Sequence, residues 1–289
     1  MFLSEFLDSE HKEQPFAAVL GHPVAHSRSP GIHNAALAYH KMDVQYHALD
    51  CPPAELNLTT ELFALRGFRG ANVTIPLKEK ILSFLDEVDE TAQQIGAVNT
   101  VVPDKQKGCL TGFNTDAYGF VQPLKDIGEI RTATILGTGG ASRAVSYALL
   151  KLGIKTRYIV SRSSNKLDIN NNDSEGLHWI TYDNLKTAIR KSDLIVNTTP
   201  VGMHPDTGHS PVPDDLMPLF AGKVCYDIIY NPLETALLQK ARHHGAQTIG
   251  GLDMFIHQAA LSFELWFVKP MPLQLIRDVL LEMISKSNR

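Results

Sequence analysis

The stretch Thr132 to Gly153, TATILGTGGASRAVSYALLKLG, runs from an apolar strand (Ala133 to Leu136) through Gly137-Thr138-Gly139-Gly140 directly into a helix (Ala141 to Leu152). Glycines at such a junction permit a tight turn and let the backbone approach a pyrophosphate, whose charge the amides of the following helix N-terminus stabilise. Glycine spacing alone is a weak sign; between a strand and a helix inside a βαβ unit it points to a dinucleotide site, with a purely structural turn as the alternative. Ser142 stands where a strict G-x-G-x-x-G run has its third glycine, and is small enough for helix and strand to pack.

The next strand, Arg157 to Val160, leads into Ser161-Arg162-Ser163-Ser164-Asn165-Lys166. A carboxylate here would bind ribose hydroxyls and repel a 2′-phosphate. An arginine flanked by hydroxyls can instead hold that phosphate through paired, charge-assisted hydrogen bonds. The residues therefore favour NADP(H) over NAD, the alternative being a solvated Arg162 and Lys166 pair.

Outward from this unit, apolar runs bounded by turn residues alternate with amphipathic stretches, the βα alternation of parallel sheets covered by helices. Strands are expected at Phe16 to Gly21, Val44 to Ala48, Gly70 to Ile75, Leu194 to Asn197 and Lys223 to Ile228, and helices at Gly31 to Tyr39, Leu56 to Leu65, Glu79 to Ile95 and Leu252 to Phe267. Asn99 to Val102 and Cys109 to Phe113 flank a polar segment and make a hairpin. The Asn-rich Ser163 to Glu175 reads as a loop inside the second series, and Met1 to Phe16 as a short extension before the first strand.

With 289 residues, 44% hydrophobic and 20% charged, the chain suits a two-domain α/β protein with a Rossmann-like, doubly wound dinucleotide-binding domain. A net charge of -4 argues against nucleic acid or anionic membrane as a general partner. No run approaches the ~18 apolar residues of a membrane span, and the N-terminus lacks a signal-peptide pattern, so a cytoplasmic protein is expected. Cys51, Cys109 and Cys225 are odd in number and far apart, which predicts neither a disulfide framework nor a zinc site.

Two further stretches carry polar side chains suited to a small molecule. In ANVTIPLKEK, Ala71 to Lys80, the β-branched Val73, Thr74 and Ile75 suit a strand and Pro76 ends it, so Asn72, Thr74 and Lys78 cluster at a strand end. Ligands in open α/β sheets bind beyond such ends; an exposed surface lysine is the other reading. In Gly21 to Asn34, GHPVAHSRSPGIHN, His22 and His26 span Pro23, and with no nearby acid or H-E-x-x-H pattern a metal is not expected. Ser27 and Ser29 are better placed to hydrogen-bond a hydroxylated or carboxylated ligand.

Eight pieces in order make the chain resemble the shikimate dehydrogenase family, including its quinate/shikimate relatives. They are GHPVAHSRSPGIHN, NVTIPLK, GAVNT (Gly96 to Thr100), GFNTD (Gly112 to Asp116), GTGGASRA, NTTPVGM (Asn197 to Met203), YDIIYNPLET (Tyr226 to Thr235) and GGLDMFIHQ (Gly250 to Gln258). The resemblance implies Lys78 and Asp116 as the catalytic pair. It implies Ser27, Ser29, Thr74, Asn99, Tyr230 and Gln258 as substrate contacts. It implies Gly137, Thr138, Gly139, Gly140, Ala141, Ser161, Arg162, Ser163, Lys166, Thr199, Ile228, Gly251 and Met254 as the cofactor side; Ser161 replaces an asparagine common in the family. The layout it implies is a substrate-binding and catalytic domain of residues 1–115 plus 250–289, with a helix returning at the C-terminus, around an NADP-binding domain of residues 116–249. Met254 and Gln258, four apart on a helix, share one face.

The expected reaction is the reversible reduction of 3-dehydroshikimate to shikimate by NADPH. Lys78 would pass the proton to and from the reacting oxygen and Asp116 would orient its ammonium. The protein is expected to act as a monomer or homodimer. An NAD-preferring quinate/shikimate dehydrogenase and a non-catalytic cofactor-binding regulator are the alternatives.

Overall fold

The computed structural model describes residues 1–104, 106–163 and 176–287. The chain divides into two compact units, Met1–Thr115 with Ile256–Arg289, and Asp116–Phe255. The second division falls inside a helix, at Ile256 rather than at the expected position 250.

The first unit contains, in chain order, α1 (Leu3–Asp8), β1 (Phe16–Gly21), α2 (Ser29–Tyr39), β2 (Gln45–Asp50), α3 (Thr59–Ala64), β3 (Phe68–Val73), β4 (Glu87–Val88), α4 (Glu90–Ile95), β5 (Thr100–Asp104) and β6 (Cys109–Phe113). Its sheet has the order β2-β1-β3-β5-β6-β4. The first three strands are parallel, whereas β5 runs antiparallel to both β3 and β6. The reversal from β5 into β6 follows from chemistry at their connection. The Asp104 carboxylate accepts the amides of Gln106 and Lys107, and Gly108 takes the left-handed conformation that closes the expected hairpin.

Asp116–Val121 forms α5 and opens the second unit, followed by β7 (Thr132–Leu136), α6 (Gly140–Lys151), β8 (Thr156–Ser161), β9 (Leu177–Thr181), α7 (Leu185–Lys191), β10 (Leu194–Asn197), β11 (Val224–Asp227), α8 (Ala236–His243) and β12 (Gln247–Ile249). The order is β12-β11-β10-β7-β8-β9, with every pairing parallel. Read from the other edge this is the Rossmann strand order, reversing between β7 and β10. β10 and β11 are buried along their whole length, as parallel strands covered on both faces must be.

The chain then runs through α9 (Leu252–Phe267) and α10 (Leu273–Ser287). Residues from Ile256 onward belong to the first unit, where α10 packs on α2. Among the described residues no helix is long and apolar enough to cross a membrane.

The helix expected over Glu79 to Ile95 does not form. Lys80–Phe84 is a short 3-10 helix, Glu87 and Val88 pair with Thr111 and Gly112, and α4 begins only at Glu90. Two acids inside this stretch are anchors for backbone amides. Asp86 accepts the Leu110 amide at 2.8 Å, and Asp89 caps α4 by accepting the amides of Thr91 and Ala92. Likewise Leu56 to Leu65 is 3-10 through Leu58 and α-helical only from Thr59. β3 ends at Val73, and Thr74 starts a turn closed by the Leu77 amide on its carbonyl.

The N-terminal extension is structural. Leu3, Phe6 and Leu7 of α1 enter the core of the first unit, where the Phe6 ring meets Phe16 edge-on at 4.8 Å. Phe6→Ala is therefore expected to lower unfolding stability by about 3–5 kcal/mol, as deletion of a buried aromatic ring does. Urea titration of both proteins checks this.

Candidate active site

In the first unit, backbone hydrogen bonds gather the expected substrate residues at the carboxyl ends of β1 and β3. The Val73 amide donates to Asn99 and the Val98 amide to Lys78, both at 2.8 Å, so Thr74, Lys78 and Asn99 lie together although far apart in sequence. The His22 amide donates to Ile75 at 3.0 Å, drawing the loop after β1 across the same place. That loop is pinned by Asp50 at the end of β2, which accepts the Val24 amide at 3.1 Å and pairs with His22 Nδ1 at 2.6 Å. Burial pushes the Asp50 carboxyl up, but the His22 contact and the Val24 amide outweigh it and hold it below its ordinary value. The Ser29 amide donates to Ser27 Oγ at 3.3 Å, fixing the Ser27 hydroxyl at the start of α2.

Behind these residues lies a buried polar cluster. Asn72 Oδ1 accepts the Tyr46 hydroxyl at 2.7 Å, and Asn72 Nδ2 donates to Ser262 Oγ at 3.0 Å, to the Asn99 carbonyl at 3.2 Å and to Thr100 Oγ1 at 3.3 Å. Asn99 Oδ1 accepts the Thr115 amide at 2.8 Å, which fixes which end of this amide side chain is oxygen. Ser262 donates to the carbonyl of Gln258 one turn earlier on α9, at 3.0 Å. Sequence reading left Tyr46, Thr100, Thr115 and Ser262 unassigned; the signal available was a run of small polar residues inside otherwise apolar elements.

His33 of α2 is fully buried against this cluster, its ring stacked on Tyr46 with centroids 4.3 Å apart. Neither ring nitrogen has a hydrogen-bond partner, and burial lowers its pKa to about 3.

In the second unit the glycine turn stands where expected. Gly137 has φ 112°, and a Cβ there would lie 2.7 Å from Thr198 Oγ1, so any side chain would be both strained and crowded. A Cβ at Gly139 would meet nothing within 4 Å, leaving open space beside the N-terminus of α6. Thr138, Gly140 and Ala141 complete the turn into that helix, whose first amides point outward from the strand ends. This is a cradle that fits a pyrophosphate. At the end of β8, Ser161 is buried and its hydroxyl closes a turn with the backbone of Ser163, while Arg162 is exposed and lies close enough to Tyr182 to act on its titration. Lys166 lies outside the described residues.

Asp227, at the end of β11, organises the remaining loops. It accepts the Thr235 hydroxyl at 2.7 Å, Asn197 Nδ2 at 3.1 Å and the Ile229 amide at 3.1 Å. Burial raises its pKa to about 6 against these three donors. Asn197 in turn accepts the amide and hydroxyl of Thr199 at 2.9 and 2.7 Å. Gly251 approaches so closely that a Cβ would stand 2.0 Å from the Ile228 carbonyl oxygen. Thr199, Ile228 and Gly251 are thereby held at the carboxyl ends of β10 and β11, with Met254 on the first turn of α9. Tyr230 stacks on Phe255 at 4.1 Å. Asp116 begins α5, which is fixed within this unit by Phe120 stacked on Tyr226 at 4.8 Å. Lys78 and Asp116 thus fall in different units. Among the described residues no group of three or more His, Cys, Asp or Glu could hold a metal ion.

A Rossmann sheet with a glycine cradle at its switch point, joined to a unit with convergent polar side chains at its strand ends, is the architecture of two-domain α/β dehydrogenases. Residues 19–101 match the model of the shikimate dehydrogenase substrate binding domain, and residues 251–281 that of the shikimate 5'-dehydrogenase C-terminal domain. A shikimate dehydrogenase (NADP(+)) of Symbiobacterium thermophilum is 41% identical, the match covering 91% of this chain and 92% of that protein. The shikimate 5-dehydrogenase of Thermus thermophilus, solved with NADP(H) and shikimate, is 36% identical with a TM-score of 0.80, covering 93% of this chain and 99% of that one. A quinate dehydrogenase of Corynebacterium glutamicum, solved with NAD, is 29% identical with a TM-score of 0.82, covering 93% and 99%. The chain belongs to the shikimate dehydrogenase family.

The buried His33 sets an acid limit on stability. Its folded pKa, about 3, lies below the ordinary 6.5, so the unfolded chain binds the extra proton; the neutral ring's contribution is complete above pH 6.5 and is lost as pH falls towards 3. The loss is expected to reach about 3 kcal/mol at pH ~4. Urea unfolding at several pH values measures it, and His33→Phe, which keeps a ring on Tyr46 without a titrating nitrogen, is expected to flatten that slope.

Proposed function

We propose that this protein is an NADP-dependent shikimate dehydrogenase, interconverting 3-dehydroshikimate and shikimate. The observation that carries the reading is the set of polar side chains at the ends of β1 and β3, in a chain 41% identical to a shikimate dehydrogenase (NADP(+)) over nearly its whole length. When bound, NADP(H) supplies or accepts a hydride at the carbon that bears the reacting oxygen.

What the chain's own residues do follows from charge. As a ketone is reduced its oxygen becomes negative, and the Lys78 ammonium hydrogen-bonds that oxygen and gives it a proton; in the reverse direction the lysine amine takes the hydroxyl proton. Asp116 orients the ammonium, an aspartate being ordinarily too acidic to be the proton donor. Ser27 and Ser29 hydrogen-bond the ligand. Thr74, Asn99, Tyr230 and Gln258 are its further contacts. A site that hydrogen-bonds each hydroxyl rejects analogues lacking one, because its buried polar groups are left unpaired.

Residues Gly137 to Ala141 cradle the pyrophosphate, and Thr199, Ile228, Gly251 and Met254 line the nicotinamide side. Arg162, Ser163 and Lys166 hold the ribose phosphate, with the Ser161 hydroxyl closing the turn at Ser163. The exposed arginine where an acid would select NAD supports NADP as the cofactor.

Two measurements test this. Among shikimate and quinate, each with NADP and NAD, the highest kcat/KM is expected for shikimate with NADP; quinate with NAD coming first would overturn the assignment. Lys78→Ala is expected to lower kcat by roughly 10²-fold or more while leaving KM for shikimate within a few-fold. Steady-state assays that follow the reduced nicotinamide report both.

A further inference from the structure

Five buried side chains of the first unit, Tyr46, Asn72, Thr100, Thr115 and Ser262, hydrogen-bond one another and the proposed substrate residue Asn99, yet none has a place in the reaction so far. Each comes from a different element or connection, and all but Tyr46 are joined through hydroxyl or amide groups to Asn99 or to the turn of α9 that carries Gln258. Thr100 Oγ1 donates to Asn99 Oδ1 at 3.0 Å, and Ser262 Oγ lies 2.8 Å from Thr100 Oγ1 and 3.2 Å from Thr115 Oγ1. Asn99 Nδ2 also donates to Thr115 Oγ1, at 2.9 Å.

Such a cluster is a poor device for stability alone. Buried polar groups contribute little net free energy when satisfied and cost heavily when one partner is lost, so an apolar core would do as well. What a fully connected network does provide is a single arrangement. Asn99 cannot turn without abandoning the Thr115 amide, and α9 cannot slide along β3 and β5 without breaking the bonds of Ser262 to Asn72 and Thr100. The two groups held by the network are the Asn99 amide and the Gln258 turn.

We propose that Asn72, Thr100 and Ser262 are positioning residues, a buried hydrogen-bond frame that sets Asn99 and Gln258 in register for the hydroxyls of the substrate. This rests on the reading of Asn99 and Gln258 as substrate-binding residues. The frame acts mainly on substrate recognition, because its direct hydrogen bonds run to Asn99 and to the Gln258 carbonyl. Small displacements of positioned groups are costly to binding and rate, which is why the frame matters.

The test uses the full-length enzyme and three variants. Thr100→Val keeps shape and strand preference but removes the hydroxyl, Ser262→Ala removes the hydroxyl from the helix, and Thr100→Ser restores a hydroxyl at the strand position. Thr100→Val and Ser262→Ala are each expected to raise KM for shikimate about 10-fold, the scale of one lost hydrogen bond, with KM for NADP within about 2-fold of the parent. Thr100→Ser is expected to recover most of the loss, which a volume effect would not explain. An unchanged KM for shikimate in both hydroxyl-deleted variants overturns the proposal while leaving the enzymatic reading intact. Failure of both to fold, with Thr100→Ser normal, also overturns it by making the network a stability element. If the parent protein does not oxidise shikimate, the reading and the proposal fall together.

Discussion

The structure of the first unit turns on two amide bonds at the end of β3. Val73 donates to Asn99 and Val98 to Lys78, and these bonds bring together a lysine, an asparagine and a threonine that have no local reason to meet. They depend on the antiparallel course of β5 against β3, which places the start of β5 beside the end of β3. A parallel strand in that position would carry Asn99 to the opposite end of the sheet. The mixed sheet is thus the feature that lets one end of the unit collect side chains from widely separated segments.

The second unit solves a comparable problem with one carboxyl group. Asp227 accepts hydrogen bonds from three separate backbone regions, and through Asn197 it reaches Thr199. Its raised pKa shows that burial outweighs the three donors, so the carboxyl is held there at a cost. The return is fixed geometry for the loops after β10 and β11, the first of which borders the switch point between β7 and β10. Gly137 and Gly251 complete the arrangement by removing side chains where backbone must approach backbone or ligand.

Much of this could be read in the residues themselves. The strand, glycine turn and helix of Thr132 to Gly153 are local, and their meaning does not depend on the rest of the chain. The β5–β6 hairpin was equally legible because turn chemistry is local. The Glu79 to Ile95 segment was not, because Asp86 and Asp89 break the expected helix by accepting backbone amides, one of them in β6. α1 was missed for the related reason that Leu3, Phe6 and Leu7 acquire their role only against Phe16 and the strand behind it. The expected site residues were read from motifs, whereas the frame behind them was hidden: Ser262 and Asn72 stand 190 positions apart, and no pattern in either neighbourhood announces the other.

The central proposal is that Lys78 carries the proton at the reacting oxygen and that Asp116 orients its ammonium. A crystal structure of the ternary complex with shikimate and NADP tests it most directly. The account requires Lys78 Nζ within about 3 Å of the hydroxyl on the carbon facing the nicotinamide, with an Asp116 oxygen on the same ammonium. A complex in which that hydroxyl is held by other groups, with Lys78 turned to solvent, would contradict it.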